Sequence, residues 1–530
     1  GRQRQMWIRE RHSSTLLSEP YSSVELLIED IIQKDSESRV CMTNNDDSKP
    51  LIDGSFSRPL DVNRWADYPE LNNCLDELIG ELEKHERRTR QRGKKESKHF
   101  REAVRCLVLD MYVAWLTDPA LLVGVPLSKG EYAKESRYRA LFLWWSSFKA
   151  AYESLVRAGY IQVVLPGFKD RTTNVGRTTR IKATPALVSF LTEKAALHVC
   201  RISARVSERE TIIMRREKKE VSGEQTPRSV EYQDSDLTNA MRSRLERINC
   251  FLQQQWIDIR LSDSEFGHLQ TRMRRDYEDS DRESPFIDFS QKALVRIFNN
   301  NDWQQGGRFY RGWWQSVPKE YRRYITINDK ATCEVDYSTL HPNLLYAGIG
   351  RRFEGDDAYD IGVRSVSRSL IKKTFNAMLN ASGPLKQPEE YSAEQAGMDW
   401  KEFQDAIIVK HAPIKDFFNT GYGLRMQRAD SDLAEAVMLR FIDMGYTCLP
   451  VHDSFLVHHA LVDKLKGIME EEFQKKTRFT IQTKTIEFTE SEPLRGEAAE
   501  PLSFNSDFLE PTGEYAGYDK RWLNWNLTRS

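Results

Sequence analysis

Three things are scarce in this 530-residue chain. Paired cysteines come first: the seven present (Cys41, Cys74, Cys106, Cys200, Cys250, Cys333 and Cys448) are odd in number, scattered, and include no CxxC pair. Together with the lack of a legible secretory leader, that favours a reducing cytoplasm and argues against structural zinc. Long apolar runs come second. The longest, residues 140–148, spans nine residues and holds two serines, against the roughly 18–20 that a membrane span needs, so no membrane partner is expected. Net charge comes third: 78 Lys and Arg stand against 79 Asp and Glu, for a total of −1. No global field draws the chain to a polyanion, and any nucleic-acid surface has to be a local cluster of cations.

What is present suffices for two to four domains, with 39% hydrophobic and 30% charged residues, the balance of a soluble globular protein. Residues 1–60 are polar and rich in turn clusters, and read as an extended, partly disordered arm with one short helix at 24–33. Residues 61–205 read as a mostly helical region. Leu71, Cys74, Leu75, Leu78, Ile79 and Leu82 recur at helical spacing, as do Val104, Leu107, Val108, Met111, Tyr112 and Trp115. Between them a basic run from Lys84 to Lys95 reads either as a solvated helix end and loop or as a nucleic-acid contact. Its acidic residues and the absence of an aromatic neighbour weigh against the second.

Next come a helix over 144–158 stopped by Gly159, a strand over 160–165, a basic turn-rich stretch over 167–179, a strand over 180–184 and a helix opened by Pro185. Helix, strand, flexible basic loop, strand is the order of a winged helix, with Lys169, Arg171, Arg177, Arg180 and Lys182 in or beside the wing. Phosphate contacts from such residues hold nucleic acid without reading its sequence; packing on protein is the alternative. Residues 206–236, charged and turn-prone, are the expected linker. An amphipathic helix over 237–261 then opens a C-terminal domain running to 530, and no internal repeat is visible.

In that domain two short apolar runs each carry a carboxylate at a turn. Cys333-Glu334-Val335-Asp336 reads as a strand end, with a helix starting near Leu340. Leu449 to Val457 reads as a hairpin bent at His452-Asp453. Carboxylates at the ends of neighbouring strands can hold divalent metals rigidly. Two metals about 3.5–4 Å apart steady the attacking and leaving oxygens of an in-line displacement at phosphate. Asp336 and Asp453 are therefore the candidate catalytic metal ligands, with Mg²⁺ (Mn²⁺ as the substitute); a strand-end aspartate taken alone reads as a helix cap. Between them Arg368, Lys372, Asn376 and Asn380 stand four apart. At about 100° per residue, steps of four drift by about 40°, so on a helix these residues form one slanting stripe. Two cations suit a triphosphate and two amides suit sugar and base; a solvated cationic face is the plainer reading. Gly306-Gly307-Arg308 sets a guanidinium after two residues that let backbone approach another chain closely, or forms an ordinary turn. Asp430 and Asp432 read as helix-start residues rather than ligands, and His458 and His459 lack the partners of a zinc site.

In this order the pieces resemble the family A (DNA polymerase I-like) polymerases and the single-subunit, phage-type RNA polymerases, over roughly residues 285–490; the N-terminal half carries no such resemblance. Asp336-Tyr337-Ser338 resembles motif A. The stripe from Arg368 resembles motif B, with Asn380-Ala381 in place of Tyr-Gly. His452-Asp453-Ser454-Phe455 resembles motif C, with a serine where the DNA-polymerising branch has glutamate. The resemblance implies an α+β right-hand fold: an antiparallel palm sheet, helical fingers at about 343–423 and a helical thumb. It also implies that the Tyr337 carbonyl helps hold a metal, and that Arg308 and Gln427 meet a DNA primer–template or RNA–DNA hybrid. Arg425 and Arg428 would add phosphate contacts, His452 would touch the primer end, and nucleoside triphosphates would be the substrates.

His341 stands where the DNA polymerases place a glutamate that crowds the ribose 2′-OH; a histidine can crowd that hydroxyl or hydrogen-bond it. Asp336-Tyr337-Ser338 and Gln427 lean towards DNA synthesis, whereas Ser454-Phe455 and Gly307-Arg308 lean towards RNA. The expectation is a compact DNA polymerase without a proofreading exonuclease, serving a mobile element or phage. A single-subunit RNA polymerase or primase-polymerase is the alternative. Of another class is a DNA-binding replication initiator or regulator whose polymerase-like half is inactive.

Overall fold

The computed structural model describes residues 56–530, apart from 87, 89, 134–135, 170–171, 173–175, 206–207, 218–228, 279–285, 487–502, 506–509 and 530. Arg171 and the helix expected at 24–33 lie outside the described residues. The architecture is mixed α+β.

In the N-terminal half the Lys94–Thr117 helix is the hub. Its residues from Ala103 to Ala114 are buried without interruption, so it is enclosed on every side rather than on one stripe, with Arg105 and Asp110 as the charged residues in the run. The Pro69–Lys84 helix buries Leu71, Leu75, Leu78 and Leu82 at helical spacing in the same core. A four-stranded sheet lies alongside, in the order Ser57–Pro59, Leu122–Val125, Thr179–Ala183, Ile161–Leu165. Its first strand comes from the end of the expected arm and runs parallel to Leu122–Val125, so residues 57–59 belong to this sheet rather than to an arm. The Trp145–Arg157 helix, the Ile161–Leu165 and Thr179–Ala183 strands and the Pro185–Ala195 helix follow the expected order. Gly159, at φ 78, lets the chain turn out of the first helix, and Pro185 opens the last. Phe168–Lys169 pairs with Gly176–Arg177 at the tip of this excursion.

Two expected boundaries shift. Residues 206–236 are more than a linker: the apolar Ile212–Met214 segment is a buried strand running parallel to Arg296–Phe298, which fixes it to the C-terminal half. The helix expected over 237–261 spans Asp236–Gln253, started by a Ser235–Thr238 capping box. Ile257 and Ile259 then alternate around Asp258 as a strand paired to Ile325–Ile327.

The central sheet of this half runs Ile257–Ile259, Ile325–Ile327, Lys330–Tyr337, Ser454–His458, Cys448–Val451, with antiparallel pairing throughout. Thr483–Thr485 adds to the end of Lys330–Tyr337. Alternation sorts the long strand. Val335 and Tyr337 are buried towards the Val462–Thr477 helix, where the Tyr337 hydroxyl donates to the Met469 carbonyl at 3.0 Å. Thr332, Glu334 and Asp336 share the other face. Between the two carboxylate-bearing strands the chain forms mostly helices, Leu340–Gly348, Arg368–Asn380, Trp400–Lys410 and Gly423–Asp443.

Candidate active site

Register brings the two candidate carboxylates together. Asp336 lies in the central strand opposite Ser454 on one side and Lys484 on the other, and Asp453 immediately precedes Ser454 in the hairpin turn. Two non-glycine residues here adopt left-handed backbone, Thr339 at φ 52 after the first strand and His452 at φ 58 in the turn. Each such conformation costs on the order of 1 kcal/mol and persists where the surroundings impose it. At Thr339 the imposing group is Asn343, whose amide donates to the Thr339 carbonyl at 2.9 Å and to its hydroxyl at 3.0 Å.

The Asp336 side chain is 15% exposed, and its Oδ2 is 3.8 Å from the Lys484 ammonium. Oδ1 is buried and has no hydrogen-bond partner. Burial first, and then the negative charge of Asp453, push the Asp336 carboxyl up to about 7; Lys484 and Lys372 pull the other way. A carboxylate in this condition is short of positive charge. A divalent cation shared with Asp453 would relieve both the unpaired oxygen and the repulsion, so the donor set fits the expected metal. Among the described residues no group of three or more His, Cys, Asp or Glu side chains gathers at metal-holding spacing. The metal would therefore rest on two carboxylates and backbone. With its ring buried and its hydroxyl engaged, Tyr337 has a backbone carbonyl to offer.

A cleft of about 320 Å³ opens at this point. It gathers most of the expected residues: Arg308, Tyr337, His341, Lys372, Asn376, Asn380, Gln427, His452 and Asp453 line it, with Thr339 and Tyr359. On the helix wall Lys372 is exposed, and the Asn376 Oδ1 is buried without a partner. Asn380 is turned back, its amide donating to the Asn376 carbonyl at 2.8 Å. Arg368 is not on the wall; it forms an exposed pair with Asp357, with Nη2 to Oδ1 at 2.8 Å.

The opposite wall is held by a buried network. The Asp302–Tyr310 strand pairs with Val295–Asn299 through a bulge at Phe298. Gly306 and Gly307, at φ 78 and 84, make it. A Cβ on Gly307 would lie 2.7 Å from the Phe298 ring and 3.2 Å from the Ser431 hydroxyl. The close approach expected of the glycine pair is thus made to this chain's own strand and to the Gly423–Asp443 helix. Arg308 is held by Asp430, whose carboxylate accepts from its Nε at 3.0 Å and also lies 3.1 Å from the His341 ring. Asp430 is not a helix-start residue: the helix begins at Gly423, and Asp430 sits inside it, 2% exposed. Arg428, expected at phosphate, is turned inward, donating to the Trp303 carbonyl at 3.0 Å and paired with Asp432. Its helical phase places it against the bulged strand. Gln427, one residue earlier, faces the cleft.

Of the wing residues, Lys169 and Arg177 are exposed, and Arg177 donates to the Pro166 carbonyl at 3.2 Å. Arg180 instead folds back on the sheet, its Nε donating to the Ser57 hydroxyl at 2.9 Å. Sequence reasoning missed Asp430 as a clamp, Lys484 beside Asp336, Tyr359 in the cleft, and Glu334. The Glu334 carboxylate is buried, accepts from the Ser454 hydroxyl at 2.5 Å and lies 3.1 Å from Arg322. The period-two alternation of the Cys333–Tyr337 run was the available signal for Glu334; Lys484 and Tyr359 had none.

An α+β chain with a cleft between an antiparallel sheet and a helix is what the geometry defines; Asp453 lines the cleft, and Asp336 is not among the lining residues but lies close enough to feel the Asp453 charge. No protein-family model and no curated protein sequence matches the chain. Among solved structures it is similar to the POL domain of Pol1 from M. smegmatis in complex with DNA primer-template and dNTP, with 12% identity, a TM-score of 0.25, and coverage of 78% of this chain and 68% of that one. So distant a likeness leaves the functional reading to the residues. No helix among the described residues is long and apolar enough to cross a membrane.

Proposed function

We propose that this chain is a template-directed nucleotidyltransferase, foremost a compact DNA polymerase, with the Lys330–Tyr337 and Ser454–His458 strands as its palm and the Arg368–Asn380 helix in its fingers. The observation that carries this reading is the Asp336 Oδ1, buried without a partner beside Asp453 and across from Lys372. Bound Mg²⁺ would supply an activated 3′-hydroxyl and charge neutralisation at the transferring phosphate. Asp336 and Asp453, with the Tyr337 carbonyl, would hold it. Lys372 meets the triphosphate from the helix wall. Arg368 can join it, because an exposed ion pair such as that with Asp357 is worth only about 0–1 kcal/mol and exchanges readily for phosphate. The Asn376 amide faces sugar or base.

Gln427 contacts the base pair, Arg308 presents a guanidinium fixed by Asp430, and His452 meets the strand end. His452 also lines a larger groove of about 980 Å³, where Arg58, Arg209, Arg311 and Lys319 stand with Asp61, Glu210 and Asp288; its cations outnumber its carboxylates, which suits a way out for the nucleic acid. Lys169 and Arg177 add phosphate contacts from the wing. His341, held by Asp430, is a rigid obstacle at the sugar and favours deoxynucleotides. Replication of a phage or mobile element is the setting that suits a polymerase paired with a winged helix.

Primer extension tests the proposal. The wild type extends a primer with dNTPs and Mg²⁺, and Asp453→Asn lowers the rate by roughly a thousandfold or more. Nucleic-acid binding by the wild type without extension of any primer, under either nucleotide type, contradicts it and favours a binding-only protein.

A further inference from the structure

The basic run that begins at Lys84 acquires in three dimensions the aromatic neighbour that its sequence lacks. The first turns of the Lys94–Thr117 helix lie beside the start of the Trp145–Arg157 helix. There the Trp144 ring stacks on His99, with centroids 5.0 Å apart and planes 14° from parallel. Lys95 stands over the same indole at 5.4 Å. Trp144 is nevertheless 51% exposed, and Leu141, three residues earlier, is 60% exposed. The next residue, Trp145, is anchored by its indole N–H, donated to the Leu127 carbonyl at 2.9 Å, with Lys149 5.3 Å and Lys129 5.9 Å from its ring. The nearby acids are occupied: Glu96 pairs with Arg88 at 2.7 Å, and Glu83 pairs with Arg92 at 2.9 Å. Lys94, Lys95 and Lys98 have no carboxylate partner among the described residues.

We propose that this patch is a binding site for single-stranded nucleic acid, separate from the cleft lined by Lys372 and Asp453. An unpaired base stacks on the open part of the Trp144 ring, backed by His99. The flanking phosphates take Lys95, Lys98 and Lys94, with Lys95 leaving the indole to do so. An exposed aromatic ringed by unpaired lysines is the arrangement that holds a polyanion whose bases are free to stack; duplex DNA keeps its bases stacked on one another and has none to offer. The site does not rest on nucleotidyl transfer and stands or falls without it.

Anisotropy of a fluorescent oligothymidylate, without triphosphate or divalent metal, is the test. Trp144→Ala is expected to weaken binding roughly 5- to 100-fold, the worth of one stacked base, and Trp144→Phe to retain most of the affinity. Lys95→Ala with Lys98→Ala is expected to lower the slope of log affinity against log salt by about 1.4, at about 0.7 per phosphate contact. A 5-iodouracil oligonucleotide is expected to crosslink to the 94–99 or 141–145 peptides. The lysine pair and the crosslink map carry the test should Trp144→Ala fail to melt cooperatively. Unchanged affinity in both the tryptophan and the lysine variants, or crosslinks confined to other peptides, overturns the proposal and leaves the patch to a protein partner. Because no reaction is read, an enzyme that fails to extend primers can still pass, and an active one can still fail.

Discussion

At the scale of the residue, Asp336 is the group on which the account turns, and its titration can be read without any catalysis. Burial and Asp453 raise its carboxyl from 3.8 to about 7 in the folded chain. A raised carboxyl favours the fold while protonated. That contribution is therefore full below about 4 and is lost as the pH rises through about 7. Metal-free protein should melt at progressively lower temperature from pH 5 to pH 8, by at most about 3 kcal/mol of stability. Asp336→Asn should flatten that slope, and Mg²⁺ should restore the wild type at pH 8 but not the variant; differential scanning calorimetry measures all three. Ser454 belongs to the same scale. Glu334 stands beside it on the neighbouring strand, so a glutamate at 454 would set two carboxylates against each other where a hydroxyl now donates. Ser454→Ala should cost about 1–3 kcal/mol in chemical denaturation by stripping a hydrogen bond from a buried charge, while Ser454→Glu should cost more. Asp336 and Asp453 were legible because each ends an apolar run at a turn. Glu334 was passed over although its strand alternation placed it on the Asp336 face, and the Lys484 contact depends on a pairing that no local pattern announces.

At the scale of the element, one glycine decides how closely two helices approach. Gly423 starts the helix that crosses Arg368–Asn380, and a Cβ there would collide with the Asn380 side chain and come within 3.2 Å of its Cα. Gly423→Ala should destabilise by about 1–3 kcal/mol. Asn380→Ala should recover part of the loss, a coupling that a double-mutant cycle in urea would reveal. An additive result would mean that the helices do not meet there. The Arg368–Asn380 helix, the hairpin at His452-Asp453, and the helix–strand–strand–helix order after Trp144 were all readable, because period, glycine and proline set them locally. The helix expected through Leu261 ends at Gln253, since Ile257 and Ile259 gain more from pairing with Ile325–Ile327 than from another helical turn. Asp430 was misread for a related reason: its partner Arg308 is 122 residues away in the chain, and the helix that carries it starts earlier than its acidic residues suggest.

At the scale of the whole molecule, the N-terminal half is joined to the C-terminal half by a buried charge cluster. Arg64, 4% exposed, pairs with Asp110 and Asp288 at 2.5 Å each. Arg58 adds a second pair to Asp110 at 2.7 Å. Arg64→Ala would leave two buried carboxylates short of a cation and should cost about 3–5 kcal/mol, read as a lower midpoint in thermal denaturation. Residues 54–530 accordingly behave as one compact unit rather than two domains on a tether. Across that unit the central claim remains local: Asp336 and Asp453 together hold the divalent cations. Titration of Mn²⁺ followed by electron paramagnetic resonance, with a non-hydrolysable triphosphate present, tests it most directly. The account predicts two bound ions in the wild type and at least a tenfold loss of affinity for one or both in Asp336→Asn and in Asp453→Asn. Equal binding in the wild type and both variants would contradict it.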